Sequence, residues 1–161
     1  MNPRSTPYSL RDEAGAALGS DLAWHARLVA RLFGATYDSA LAASGLTSAQ
    51  FGLMCLIASA PDDTIGALAL QCGLNQSTMS RNVEQLVRAG LAELVTQPRD
   101  RRQRAVWLTE QGARRLQQAL PSWRAAQREL MRTLDAQLLD HLVVAATVLV
   151  QQQGSPNREE P

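Results

Sequence analysis

A mainly α-helical fold with one small β-hairpin is what this sequence predicts, and three observations carry that reading. Apolar residues recur three or four positions apart over most of the chain, the period of an amphipathic helix. Gly45, Gly73, Asn75 and Gly90 stand between those stretches, where glycine ends helices and asparagine caps them. Only between Leu91 and Leu108 does the pattern change, to two extended runs around the turn-forming Gln97-Pro98-Arg99-Asp100.

Residues 1–19, with Pro3 and Pro7, read as a flexible N-terminal arm. Ser20 or Asp21 caps a long helix to about Ser44, with Leu22, Ala26, Val29, Phe33 and Tyr37 on its apolar face. Thr47 or Ser48 opens a second helix through about Ser59, with Phe51, Leu53, Met54, Leu56 and Ile57 apolar. After the Pro61-Asp62-Asp63 loop, a short helix runs from Thr64 to about Cys72. Gly73-Leu74 turns the chain, and Asn75 caps a helix over 75–89 that Gly90 stops. Two short helices joined by a glycine-containing turn form a helix-turn-helix. The hairpin over 95–108 is its wing. Thr109 caps a helix to about Arg132, interrupted or bent near Pro121. A last helix spans about 135–152. Its apolar residues, Leu138, Leu139, Leu142, Val143, Ala146, Leu149 and Val150, cover more of the circumference than a surface helix requires. Residues 153–161 read as a disordered tail. The domain plan is therefore a winged helix-turn-helix lobe over 47–109, with a helical dimerisation region made of 20–46 and 110–152.

The chain has 161 residues, 45% apolar and 19% charged, which suits one globular domain and argues against disorder. No stretch approaches the roughly 20 apolar residues of a membrane span, and the N-terminus has no apolar signal core. The expected location is the cytoplasm, with no membrane partner. Two cysteines, Cys55 and Cys72, cannot build a disulfide scaffold, and His25 and His141 are far apart in sequence, so no metal or cofactor is expected. No nucleophile–base arrangement or phosphate loop is visible either, and the chain reads as a non-enzyme.

Net charge is only +1, but its distribution is uneven. Asn75 to Arg115 holds eight arginines against four acids, while the remainder holds eight arginines against eleven acids. One part of the molecule is thus built for an anionic partner. In projection, Met79, Val83, Leu86 and Val87 of the 75–89 helix face inward. Ser77, Thr78, Arg81, Gln85 and Arg88 face outward, with Glu84 among them. Small hydroxyl residues let a helix sit close in a major groove, and an arginine can bond guanine O6 and N7 together. The wing tip carries Arg99, Asp100, Arg101, Arg102 and Arg104. A basic tip of this kind can lie along phosphates or enter a narrow minor groove, with Asp100 orienting Arg102. Either feature alone would also suit a solvated surface; their order and spacing together point to double-stranded DNA. The alternative is a winged-helix protein–protein module without DNA binding.

Gly45-Leu46-Thr47, Phe51-Gly52-Leu53-Met54, Leu68-Ala69, Ser77-Thr78-Met79-Ser80-Arg81, Leu86 through Leu91, Asp100-Arg101-Arg102 and Leu108-Thr109-Glu110-Gln111-Gly112 stand in an order and spacing that resemble the MarR family (multiple antibiotic resistance regulators). The resemblance covers roughly 21–152 and is most specific over 86–112. It implies a homodimer whose first and last helices interlock, placing two winged lobes on one pseudo-palindromic operator. It carries groove reading to Ser77, Thr78 and Arg81, and the wing's Asp-x-Arg pair to Asp100 and Arg102, with Gln76 and Asn82 flanking the reading face. A two-fold dimer would then place its reading helices about 34–36 Å apart, one DNA turn.

Members of the family often respond to a small aromatic or phenolic effector, or to oxidation of a cysteine. Trp24, His25, Arg31 and Tyr37 on the first long helix, with Phe51 and Met54 on the next, could line an effector crevice. The family's sensing cysteine lies near the start of the first helix, where this chain has Leu22, Ala23 and Trp24. Cys55 among apolar neighbours reads as a core residue. Cys72 ends a helix, where the dipole does not assist a thiolate.

Overall fold

Among the described residues, 8–97, 100–135 and 137–154, the computed structural model contains seven α-helices and one two-stranded hairpin. They are α1 (Tyr8–Ser20), α2 (Leu22–Leu41), α3 (Ser48–Ser59), α4 (Ile65–Gln71), α5 (Gln76–Arg88), β1 (Ala92–Gln97), β2 (Asp100–Leu108), α6 (Glu110–Thr133) and α7 (Leu138–Gly154). The chain falls into two compact units that meet within α2, between Thr36 and Tyr37.

In the first unit, residues 8–20 are helical where a flexible arm is expected from the sequence. Asp21 separates this helix from α2, and its carboxylate accepts the Trp24 amide at 3.0 Å. Asp21, rather than Ser20, is thus the cap; the Ser20 hydroxyl instead donates back to the Ala16 and Ala17 carbonyls.

The second unit is built on capped helices. Thr47 and Gln50 form a reciprocal capping box at the start of α3. Thr64, Asn75 and Thr109 each accept a backbone amide at the starts of α4, α5 and α6. Gly73 and Gly90 take φ of 61° and 70°, the left-handed conformation that closes α4 and α5. The core comprises Leu41 and Leu46, then Phe51, Met54 and Ile57 of α3, and Leu68 and Ala69 of α4. Met79, Val83 and Leu86 of α5 join Leu91, Ala92 and Val106 of the wing base, with Leu116 and Ala119 of α6. The helical and strand periods read in the sequence thus converge on one interior.

Of the interruption or bend expected near Pro121, the interruption is absent: α6 runs unbroken through that residue. The last helix is displaced by a few residues from its expected start, beginning at Leu138 and extending to Gly154. Of residues 153–161, read as a disordered tail, 153 and 154 are helical instead, and 155–161 lie outside the described residues. On α7, Leu139, Leu142, Val143, Val144, Val148 and Leu149 are 43–62% exposed. No single helix among the described residues is long and apolar enough to cross a membrane.

The hairpin is held at both sides of its base. Val106 donates its amide to the Asp63 carbonyl at 2.9 Å, Thr64 bridges Ala105, and the Trp107 indole N–H donates to the Asp63 carboxylate. On the other side the Thr109 amide donates to the Leu91 carbonyl at 3.1 Å and its hydroxyl to the Gly90 carbonyl at 2.7 Å. The same hydroxyl accepts the Gly112 amide at 3.0 Å. Gly112 sits so close that a Cβ there would lie 1.9 Å from the Leu91 carbonyl oxygen. The Leu108-to-Gly112 motif is therefore a joint between α5, the wing and α6.

A Gly112→Ala substitution should destabilise the fold by about 1–3 kcal/mol, because backbone rather than a flexible side chain must move. Urea unfolding measures this. A cost below about 0.5 kcal/mol, the range of neutral surface changes, would show that the joint is not tight.

Candidate nucleic-acid interface

The polar face of α5 begins at its cap. The Asn75 carboxamide oxygen accepts the Thr78 amide and the Ser77 hydroxyl, both at 2.8 Å. This ties Ser77 to the cap at the helix entrance. Gln76, Ser77 and Arg81 are exposed, Thr78 is half-buried, and Met79, Val83 and Leu86 on the opposite side are buried. No ion pair or hydrogen bond engages Arg81 among the described residues. Glu84, the acid on this face, accepts from Ser80 at 3.5 Å rather than from Arg81 or Arg88. The arginine is left available for an outside acceptor. Asn82 is half-buried and lines a cleft with Gln85 and the first turns of α3, so it stands at the edge of the polar face of α5.

The wing pairs Ala92 with Leu108, Glu93 with Trp107, Leu94 with Val106, Val95 with Ala105 and Thr96 with Arg104. The register then breaks. Gln97 pairs with Asp100, so Arg101, Arg102 and Gln103 lie on β2 between these pairs with no residue opposite. Arg104 is exposed. Arg99 lies outside the described residues, as do the side chains of Asp100, Arg101 and Arg102. Ala105 and Val106, on opposite faces of β2, are both buried, while Trp107 is 50% exposed.

Two arginines of the basic segment have structural employment. Arg115 donates to the Ser44 carbonyl at 2.9 Å, closing the single 3-10 turn after α2, and Arg114 pairs with Glu110. The start of α6 therefore uses its arginines internally, and the charge surplus of the segment falls on α5 and the wing.

A cleft of about 520 Å³ lies in the second unit, lined by Tyr37, Leu41, Ser48, Phe51, Gly52, Cys55, Leu120 and Trp123. The Phe51 and Trp123 rings stack with centroids 5.7 Å apart. The Tyr37 hydroxyl donates to the Gln127 side-chain carbonyl, and burial raises its pKa. Of the six residues expected from the sequence to line an effector crevice, Tyr37 and Phe51 line this cleft. Met54 is fully buried behind it in the core. Trp24, His25 and Arg31 are exposed on the part of α2 that belongs to the first unit; the His25 Nδ1 lies 2.8 Å from the Asp21 carbonyl. Leu120 and Trp123 are not among those six, although they continue the three-and-four spacing of Leu116 and Ala119.

Desolvation raises the pKa of both thiols, Cys55 in the cleft wall and Cys72 at the end of α4, which keeps them protonated. No group of three or more His, Cys, Asp or Glu among the described residues could hold a metal ion.

The sequence profile of the MarR family matches residues 44–103. No curated protein sequence matches the chain. Among solved structures, the Mycobacterium tuberculosis transcriptional regulator MosR in complex with DNA is 30% identical. The match covers 81% of this chain and 96% of that one, with a TM-score of 0.73. CouR from Rhodococcus jostii RHA1 bound to p-coumaroyl-CoA is 21% identical over 83% of this chain and 94% of that one, with a TM-score of 0.68. The transcriptional repressor CouR bound to a 23-mer DNA duplex is likewise 21% identical over 83% and 94%, with a TM-score of 0.71. The α5 helix, the arginine-rich hairpin and the Leu-Thr-x-x-Gly joint thus coincide with a match over 81% of this chain to a 30% identical regulator, and the chain belongs to the MarR family.

Proposed function

We propose that the chain is a sequence-specific transcription regulator, a ligand-responsive repressor that binds a pseudo-palindromic operator as a homodimer. The observation that carries this is the outward face of α5, where Ser77, Thr78 and an unengaged Arg81 share one side and the acid among them is turned to Ser80. In this reading α5 enters the major groove, where Arg81 meets a guanine edge and the hydroxyls adapt to their neighbours. Gln76 and Asn82 flank it. The wing follows the backbone, with Arg102, oriented by Asp100, entering the minor groove while Arg99, Arg101 and Arg104 meet phosphates. MosR, the 30% identical relative, has been crystallised with DNA, and CouR is a repressor crystallised on a duplex.

The exposed apolar residues of α7 support the dimer. Six large aliphatic side chains left in water on one helix are an unusual cost for a lone chain, and a second copy offers the same surface by symmetry. The Tyr37 cleft supports the effector. CouR, with the same fold, binds p-coumaroyl-CoA, and a small aromatic or phenolic compound is the corresponding ligand here.

Fluorescence anisotropy against the chain's own upstream DNA tests the residue roles. Arg81→Ala should cost about 1–3 kcal/mol of specific binding and relax sequence preference, whereas Arg101→Ala should lower the slope of log affinity against log salt by about 1. Equal, uniform losses from both would refute the division between base reading and phosphate contact. Replacing Val144 with Asp should convert a dimer to a monomer in light scattering and weaken operator binding. A monomeric wild type, or a variant that stays dimeric, would remove α7 from the interface.

A further inference from the structure

We infer that the Tyr37 cleft selects neutral aromatic compounds bearing one hydrogen-bond donor, and rejects aromatic carboxylates. This rests on the reading of the cleft as the effector site and sharpens it to a ligand class. The lining consists of Leu41, Phe51, Cys55, Leu120, Trp123, the Tyr37 ring, Gly52 and Ser48, with no charged side chain. An anion taken in would lose water and find no cationic partner. Phe51 and Trp123 stack on one another with centroids 5.7 Å apart, so this side of the cleft is aromatic, and a volume of about 520 Å³ lies within the usual range for small-molecule sites.

The polar groups point the same way. The Tyr37 hydroxyl spends its proton on Gln127 and offers only lone pairs to the cleft. A ligand hydroxyl or N–H is its complement; a carboxylate, which only accepts, is not. The start of α3 at Ser48 would ordinarily favour an anion. Here that place is filled. The Ser48 amide donates to the Asp38 carboxylate at 2.5 Å, and this bond holds the Asp38 carboxyl below its usual range. Thr47 takes the Gln50 amide. A second anion would face the fixed charge of Asp38 rather than free amides.

Gly52 lines the cleft, and a Cβ there would meet nothing within 4 Å, so a larger side chain can be added without a clash. Isothermal titration of the full chain with naphthol and with naphthoate, near neutral pH, tests the class. Naphthol should bind at least about tenfold more tightly than naphthoate. Gly52→Leu should abolish that binding. Tyr37→Phe, which keeps the ring and loses the acceptor, should weaken naphthol by about fivefold or more. Naphthoate binding as tightly as naphthol, and lost in Gly52→Leu, would overturn the ligand class and leave the effector site standing. Naphthol binding that neither substitution changes, or no binding of either compound, would overturn both. Naphthol bound in this cleft without altering operator affinity would uphold the class and remove the effector role.

Discussion

The relation between α5 and the wing depends on a cluster of backbone contacts around Gly90, Leu91, Thr109 and Gly112. Gly90 leaves α5 with a φ of 70°, which turns the chain so that Leu91 drops into the core and its carbonyl faces Thr109. The Thr109 side chain then serves twice, donating to Gly90 and accepting from Gly112 as the cap of α6. A Cβ at residue 112 would collide with the Leu91 carbonyl, so only glycine allows α6 to start there. Short backbone contacts transmit position with little slack, because main chain cannot change rotamer. The polar face of α5 is free to point outward only because the helix and the wing are joined behind it.

A second tie sits across the hairpin. Asp63 engages the wing through both its carbonyl and its carboxylate, on Val106 and Trp107. With Thr64 bridging Ala105, the loop before α4 acts as a short third edge to a two-stranded sheet. An isolated hairpin is marginal in water, and this one is stabilised by being flanked on both sides at its base. α3 plays a comparable part between two clefts. Ser48 and Gly52 line both the Tyr37 cleft and the cleft that reaches Met79, Asn82 and Gln85 of α5. The helix that forms one wall of the Tyr37 cleft is therefore in direct contact with the space beside α5.

Much of this was legible in the sequence. The caps at Thr47, Thr64, Asn75 and Thr109 are local chemistry, since each side chain bonds an amide three residues on. The inward face of α5 follows from helical period alone, and Arg81 follows from being on the opposite side. The misses have physical causes. Residues 8–20 contain Gly15 and Gly19 and lack a clear apolar stripe, so their helix carried little periodic signal. Pro121 costs an amide bond and strains the preceding turn, but α6 is long enough, and packed firmly enough through Leu116 and Ala119, to continue past it. Of the effector candidates, Tyr37 and Phe51 share the cleft while Met54 is core, because residues three apart on α3 both face inward and depth is set by what packs over them.

Local rules thus sufficed for the helices after α1, most of their caps, the hairpin and the polarity of the outward face of α5, because each is decided within four residues of chain or by period. Pairings between distant segments were left to the tertiary structure: Asp63 with Trp107, Arg115 with the Ser44 carbonyl, Tyr37 with Gln127, and Gly112 against Leu91. Such contacts depend on how whole elements cross in three dimensions, and no spacing in a linear chain encodes that crossing. This is why arginines that looked alike in sequence divide in the fold, Arg115 holding a helix end while Arg81 faces outward without a partner among the described residues.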